Sequence, residues 1–555
     1  MTKEKIERLV KRAVREIKIE IPKKIEILIE RPTYEKFGDY FTSFPLKGAK
    51  FYQKAPFFFA QDLEKEIKKT KPLFLERVEA VPPGFLNFFL SRKYLQNQIK
   101  EILKKEKKYG SLKPKKKKRI NIEFCSANPT GPLHLGHGRG IFWGDVLARV
   151  LKKAGHKVTK EYFINDYGKQ ILLFGKSIDF YYLLKFKKIS QKIPKEYYQG
   201  KYIEEIADLI IKKNKKKYLK IPEKKRIEIF KEIGIKRILM ETKELLSKIG
   251  VKFDIWFSEK NLYKKNKVKK TIEFLKKKNL VYKKEGALWF KSIKFGDDKN
   301  RILIRSDGEP TYFASDASYH LDKISRGFDL LIDVWGADHY IYTSRIKAIA
   351  KVFNFDKKLK IFITQFVQLI EKSKERKMSK RKGVFFTLKD LIKEVGTDVT
   401  RFFFLEKSID THIDFDLKLA KEQSEKNPVY YLQYAYVRIN SILKKSPKSQ
   451  INSKINIQNL KLNLLIHPSE INLIKQLIIF PEIIKEIVED FQIQKLLEYG
   501  KNLATNFHQF YRDCHILSLK KEEELKIARF VLLKATKIVL ENLFDLIGIS
   551  KPKKM

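Results

Sequence analysis

Two histidines three residues apart, His134 and His137, lie in the stretch EFCSANPTGPLHLGHGRG, Glu123–Gly140. A proline-rich turn leads there into a helical pattern, so both imidazoles fall at a helix start. Free N–H groups and the helix dipole make such a start a phosphate site. Imidazole N–H groups extend that cradle and can donate as charge builds in a transition state. Gly136, between them, carries no side chain and lets a flat base or ribose approach. Zinc is not indicated, because no third ligand completes the spacing and H-E-x-x-H is absent. Far downstream, ERKMSKRKG places Lys377 and Lys380 around Met378 and Ser379. Lysine is too abundant here for its spacing to mean much, but the chain has four methionines in all. Two ammonium groups on a glycine-flanked loop can close on a triphosphate and neutralise it, with the Ser379 hydroxyl as a further donor.

Several elements must hold these groups. Ile120, Ile122 and Phe124 alternate as on a strand, and Pro129 and Pro132 exclude helix from the turn that follows. After Gly138 the apolar residues Ile141, Phe142, Val146, Leu147, Val150 and Leu151 take helical spacing, closed by Gly155. KVTKEYFI reads as the next strand, and strand–helix–strand is a βαβ unit with parallel strands. FDLLIDVWG, SRIKAIAKVF and LKIFITQFV repeat the pattern, and TLKDLIKEVG starts a helix capped by Thr387. The expected fold is α/β: a doubly wound, Rossmann-like parallel sheet. It is expected to span 113–424, interrupted by a lysine-rich, mostly helical insertion at about 176–300. An N-terminal α+β unit (1–112) precedes it, and a helical bundle (425–555) with its own core follows.

At 555 residues several domains are expected. No apolar run approaches a membrane span, and the amphipathic start MTKEKIERLVKRAVREI lacks the apolar centre of a signal peptide. A cytoplasmic protein without membrane contact is expected. Cys125 and Cys514 form no C-x-x-C pattern and read as reduced thiols. The formal net charge of +53 favours a polyanionic partner, nucleic acid first, although an AT-rich genome accounts for part of the lysine.

PLHLGHGRG and KMSK around a split parallel sheet resemble the two signatures of class I aminoacyl-tRNA synthetases. FINDYGKQI, TYFASD, WGADHYIYTSRIKA, TLKDLIKEVGTDVTRFFFL and NPVYYLQYAYVRI narrow the resemblance to arginyl-tRNA synthetase, and FGDY and PPGFLNFFL extend it to the N-terminal unit. The resemblance implies ligation of L-arginine to tRNA(Arg) through an arginyl-adenylate, with MgATP as substrate, no zinc, and a monomeric enzyme. It assigns His134 and His137 to ATP binding and transition-state stabilisation, and Lys377 and Lys380 to the triphosphate. Gly136, Met378, Ser379, Asp338 and His339 would line the nucleotide side. Glu123, Asn128, Tyr312 and Asp316 would form the arginine pocket, with Asn165 and Asp166 within reach. A guanidinium that never loses its charge needs carboxylates, and Glu123 and Asp316 fall inside these motifs. The N-terminal unit would touch the tRNA elbow and the bundle the anticodon arm. A small nucleotidyltransferase and a catalytically dead RNA-binding relative are the competing readings.

Overall fold

The computed structural model describes all residues except 21, 23–24, 190–191, 372–373, 376–385, 446–459 and 518–521. Five parallel strands form the central sheet: β1 (Arg119–Glu123), β2 (Lys157–Ile164), β3 (Ile255–Ser258), β4 (Leu330–Gly336) and β5 (Leu359–Thr364). Their spatial order is β5-β4-β1-β2-β3. Winding thus reverses between β1 and β4, the place where doubly wound sheets open a crevice at the carboxyl ends of their strands. Alternation predicts one buried face for β1. Instead Ile120, Asn121, Ile122 and Glu123 are all buried, as befits a central parallel strand covered on both faces.

Helix α1 (Leu135–Lys153) begins earlier than its apolar spacing predicts, and takes in the histidine turn itself. It lies hard against β1: a Cβ on Gly144 would sit 2.4 Å from the Phe124 ring. Gly144→Ala is therefore expected to destabilise the protein by about 1–3 kcal/mol through overpacking, read as a lowered thermal midpoint. Buried Arg139 donates to the carbonyls of Gln365 and Ser408, which fastens the start of α1 to the chain beyond β5. Further along α1, the fully buried Asp145 carboxylate accepts from Arg149, Lys160 and Arg401. Arg149 and Arg401 also donate to the carbonyls of Asp545 and Ile547, at the end of the last helix (Glu523–Ile547). One carboxylate thus ties the histidine-bearing helix to the C-terminal bundle.

The lysine-rich stretch 176–300 is not one inserted piece, because it contains sheet strand β3. Before β3, helices Lys169–Lys185, Lys201–Asn214 and Glu223–Lys248 pack around Phe174, Tyr182 and Phe230. After it, strands Val281–Lys284, Ala287–Phe290 and Arg301–Ile304 form a small antiparallel sheet. The N-terminal strands Tyr40–Thr42, Leu75–Val81 and Phe85–Leu90 make another, flanked by helices. Helix Arg92–Lys105 leans on the C-terminal helices, with Gln96 donating to the Leu465 carbonyl at 2.9 Å. Those helices, Pro428–Lys444, Pro468–Asp490, Gln494–Asp513 and Glu523–Ile547, share one continuous apolar core with the N-terminal unit and α1.

Candidate active site

His134 is the N-cap of α1 and His137 stands one turn in, their ring centroids 3.6 Å apart. The His134 backbone N–H donates to His137 Nδ1 at 3.1 Å. A neutral His137 therefore carries its proton on Nε2, which leaves that nitrogen as the ring's donor. A Cβ on Gly136 would press on the His134 ring at 3.1 Å, so glycine keeps this turn open.

Lys377, Met378, Ser379 and Lys380 lie outside the described residues. The chain leaving that segment, however, joins the histidine turn. Thr387 forms a β-bridge with His134, and the Leu388 N–H donates to the Leu133 carbonyl at 2.9 Å. Thr387 caps helix Leu388–Val395 as its sequence predicts, in a reciprocal box with Asp390. A Cβ on Gly138 would meet Leu388 at 2.9 Å, so the two segments also pack closely. Asp338 and His339 occupy the exposed turn after β4, at the same edge of the sheet.

The central strands carry a row of buried acids. Strand register aligns Glu161 of β2, Glu123 of β1 and Asp333 of β4. Neighbouring strands stand roughly 4.8 Å apart, so three ionised carboxylates there would repel one another strongly. Helix α2 (Tyr312–Ser325) and the residue after it neutralise them from one face. Lys323, fully buried, donates to Glu123 at 2.8 Å and to Asp333 at 2.6 Å. Arg326 grips Glu161 with both terminal nitrogens, and Tyr319 adds its hydroxyl. His320 joins the Asp333 carboxylate to the Asp316 carbonyl. Burial alone would push the Asp333 carboxyl up, but the Lys323 ammonium and the His320 hydrogen bond outweigh it and hold it low. Ser126 donates to the second oxygen of Glu123, after two residues, Cys125 and Ser126, with left-handed backbone (φ 70° and 37°).

Asp316 is different. It has no ion-pair or side-chain hydrogen-bond partner among the described residues. Burial pushes its carboxyl up to about 6; the Glu123 charge adds to the rise, and His320, Arg345 and Lys323 oppose it. Hydrogen-bonded to its sequence neighbour Ser315 is Glu259, just after β3, which sequence reasoning did not select. Glu259 is 3 % exposed. Its Oε1 accepts from the Ser315 hydroxyl at 2.6 Å, and its Oε2 is buried without a partner. Burial pushes this carboxyl up to about 7, despite the Ser315 hydrogen bond, with the Asp316 and Asp166 charges adding to it. The only sequence signal for Glu259 was its place at the exit of a short aromatic strand, IWFS, inside a lysine-rich stretch.

Tyr312 stands at the start of α2 against Gly168, half exposed. Tyr167 and Tyr263 stack with centroids 4.0 Å apart. Asp166 serves the scaffold, accepting from the Lys260 N–H and the Ser258 hydroxyl. Asn128 is exposed and donates to Gln170. From the helical layer, Tyr202 donates to the Thr130 carbonyl and so braces the proline-rich turn.

Known proteins match this arrangement along the whole chain. Residues 98–440 fit the family of class I (R) tRNA synthetase catalytic domains. Residues 4–90 fit the arginyl-tRNA synthetase N-terminal domain, and 432–555 the DALR anticodon-binding domain. The chain belongs to the arginyl-tRNA synthetases. An arginine–tRNA ligase of Halalkalibacterium halodurans is 38 % identical, over 96 % of this chain and 94 % of its own length. An arginine–tRNA ligase of Caldanaerobacter subterraneus is 40 % identical over 100 % of this chain and 99 % of its own. A Campylobacter jejuni crystal structure described as an arginyl-tRNA synthetase superposes with a TM-score of 0.76 at 32 % identity, covering 84 % of this chain and 100 % of that one. The doubly wound catalytic sheet and helical C-terminal region are those of the family.

Proposed function

We propose that this chain joins L-arginine to tRNA(Arg) in two steps, using MgATP. The arginine carboxylate attacks the α-phosphorus in line, and magnesium pyrophosphate leaves. The 2′-hydroxyl of the terminal adenosine then takes the arginyl group, and AMP leaves. Such chemistry needs positioning and charge stabilisation rather than a protein nucleophile. His134 and His137 donate to phosphate oxygens as charge builds, Lys377 and Lys380 hold the triphosphate, and Ser379 adds a hydroxyl. Gly136, Met378, Asp338 and His339 line the nucleotide side.

Asp316, Glu259 and Tyr312 receive the guanidinium. Glu123 is already held by Lys323 and Ser126, and with Asn128 it serves the other end of the amino acid. The observation that carries this reading is a pocket with two carboxylates, Asp316 and Glu259, lacking a cationic partner among the described residues of a chain with net charge +53. A buried acid and a half-buried one without a counter-charge call for a permanent cation as ligand.

We assign 1–112 to the tRNA elbow, 113–424 to catalysis and 425–555 to the anticodon arm, in a cytoplasmic monomer. Among the described residues no helix is long and apolar enough to cross a membrane. On the C-terminal helices, Tyr430 and Tyr434 stack, and Arg438 lies over Tyr434 and Tyr511, a combination suited to splayed bases. The test is to charge a purified tRNA pool with each amino acid in turn. Arginine alone is expected to be incorporated, and Lys380→Ala is expected to abolish incorporation. Charging by another amino acid would overturn the assignment.

A further inference from the structure

The pocket just described has a proton problem. Glu259 Oε2 is buried and has no hydrogen-bond partner among the described residues, while Oε1 accepts from Ser315, the neighbour of Asp316 in sequence. Among the described residues, every cation facing this pair is engaged elsewhere or out of contact. On α2, Lys323 serves Glu123 and Asp333, and His320 serves Asp333. After β3, Lys260 reaches out to Glu232. Arg345, on helix Thr343–Val352, lies over the Tyr342 ring at 4.3 Å and makes no ion pair among the described residues. The remaining neighbours are acids and phenols: Glu123 on β1, Asp166 and Tyr167 after β2, and Tyr263 after β3. A buried carboxylate and a half-buried one in the same pocket do not readily both ionise without a counter-charge.

We propose that Glu259 and Asp316 share one proton while the pocket is empty, and that the guanidinium of arginine displaces this proton to solvent. The inference rests on the assignment of this pocket to arginine. The balance is simple: the protonated pair plus the arginine cation gives the ionised pair holding arginine, plus one H⁺. No other bond changes, and the guanidinium keeps all its protons. The carboxyls' upward displacement, to about 7 for Glu259 and about 6 for Asp316, sets the range where exchange is visible. The bound state holds fewer protons, so affinity rises with pH, by up to about tenfold per pH unit at the acidic end, and levels off above the Glu259 value. The pair also becomes a selectivity device. Citrulline, a neutral isostere of arginine, cannot replace the missing counter-charge, so it binds without expelling the proton.

Titration calorimetry on the full-length enzyme with tRNA, without ATP, tests this. Arginine is titrated at pH 6.5 in buffers of different ionisation enthalpy. Release of between about half and one proton per arginine is expected, falling towards zero at pH 8.5. Glu259→Gln keeps the shape of the protonated acid and should still bind arginine, more weakly, with release abolished. Asp316→Asn serves the same purpose should the first variant fold poorly. Arginine binding at pH 6.5 with no dependence on buffer, or equal release from wild type and variants, overturns the inference. No arginine binding at any pH would instead overturn the pocket assignment itself.

Discussion

Lys323→Met is expected to cost about 3–5 kcal/mol of stability at neutral pH, the usual consequence of removing one partner from a buried ion pair. The ammonium is fully buried and serves two carboxylates, Glu123 and Asp333, at 2.8 and 2.6 Å. Methionine fills much of the volume but leaves both acids without their cation, in a row that also holds Glu161. The pH dependence has a definite sign. In the wild type the Asp333 carboxyl is held at about 2, below its ordinary 3.8. Its contribution is thus complete above that ordinary value and is lost as pH falls towards 2. In the variant the Asp333 carboxyl loses the ammonium that holds it low and favours protonation, so the gap between variant and wild type narrows as the solution is acidified. Thermal midpoints at pH 7.5 and pH 5 would measure this. Equal midpoints at pH 7.5 would show that the ammonium does not hold the acid row together.

Asp316→Asn should lower kcat/KM for arginine by about 10²–10³, the scale of a desolvated charge pair losing one member, and leave the KM for ATP near its wild-type value. Asparagine keeps the size and removes the charge. Pyrophosphate exchange with tRNA present, with arginine and ATP varied separately, would distinguish the two effects. A matching rise in the KM for ATP would indicate general damage to the cleft, and an unchanged arginine term would remove Asp316 from the pocket. The loss should fall on arginine because Asp316 stands on α2 and has no other cation among the described residues to hold.

Much of the scaffold follows from residues close together in the chain. The prolines before His134, the helical spacing after it, the Thr387 cap and the alternation of strands and helices all express interactions within about one turn or one strand pair. They are legible because their energies depend on neighbours in sequence. Boundaries were less so: α1 begins at Leu135 because the histidines cap it, and β3 is hidden among lysines because a four-residue edge strand carries little periodicity.

The charge pattern of the site has another origin. Glu161, Glu123 and Asp333 come from strands far apart in the chain, and they become one row through strand register. Lys323 and Arg326 read as ordinary basic helix residues until α2 is laid over that row. Glu259 is one acid among 66 acidic residues until β3 joins the sheet edge and sets it against Ser315 and Asp316. Local sequence therefore specified the histidine turn and the order of the elements, whereas the choice of which acids are neutralised and which stay without a cationic partner among the described residues came from packing between distant segments. Electrostatic energy depends on separation in space and on burial, and neither quantity is carried by a residue's position along the chain.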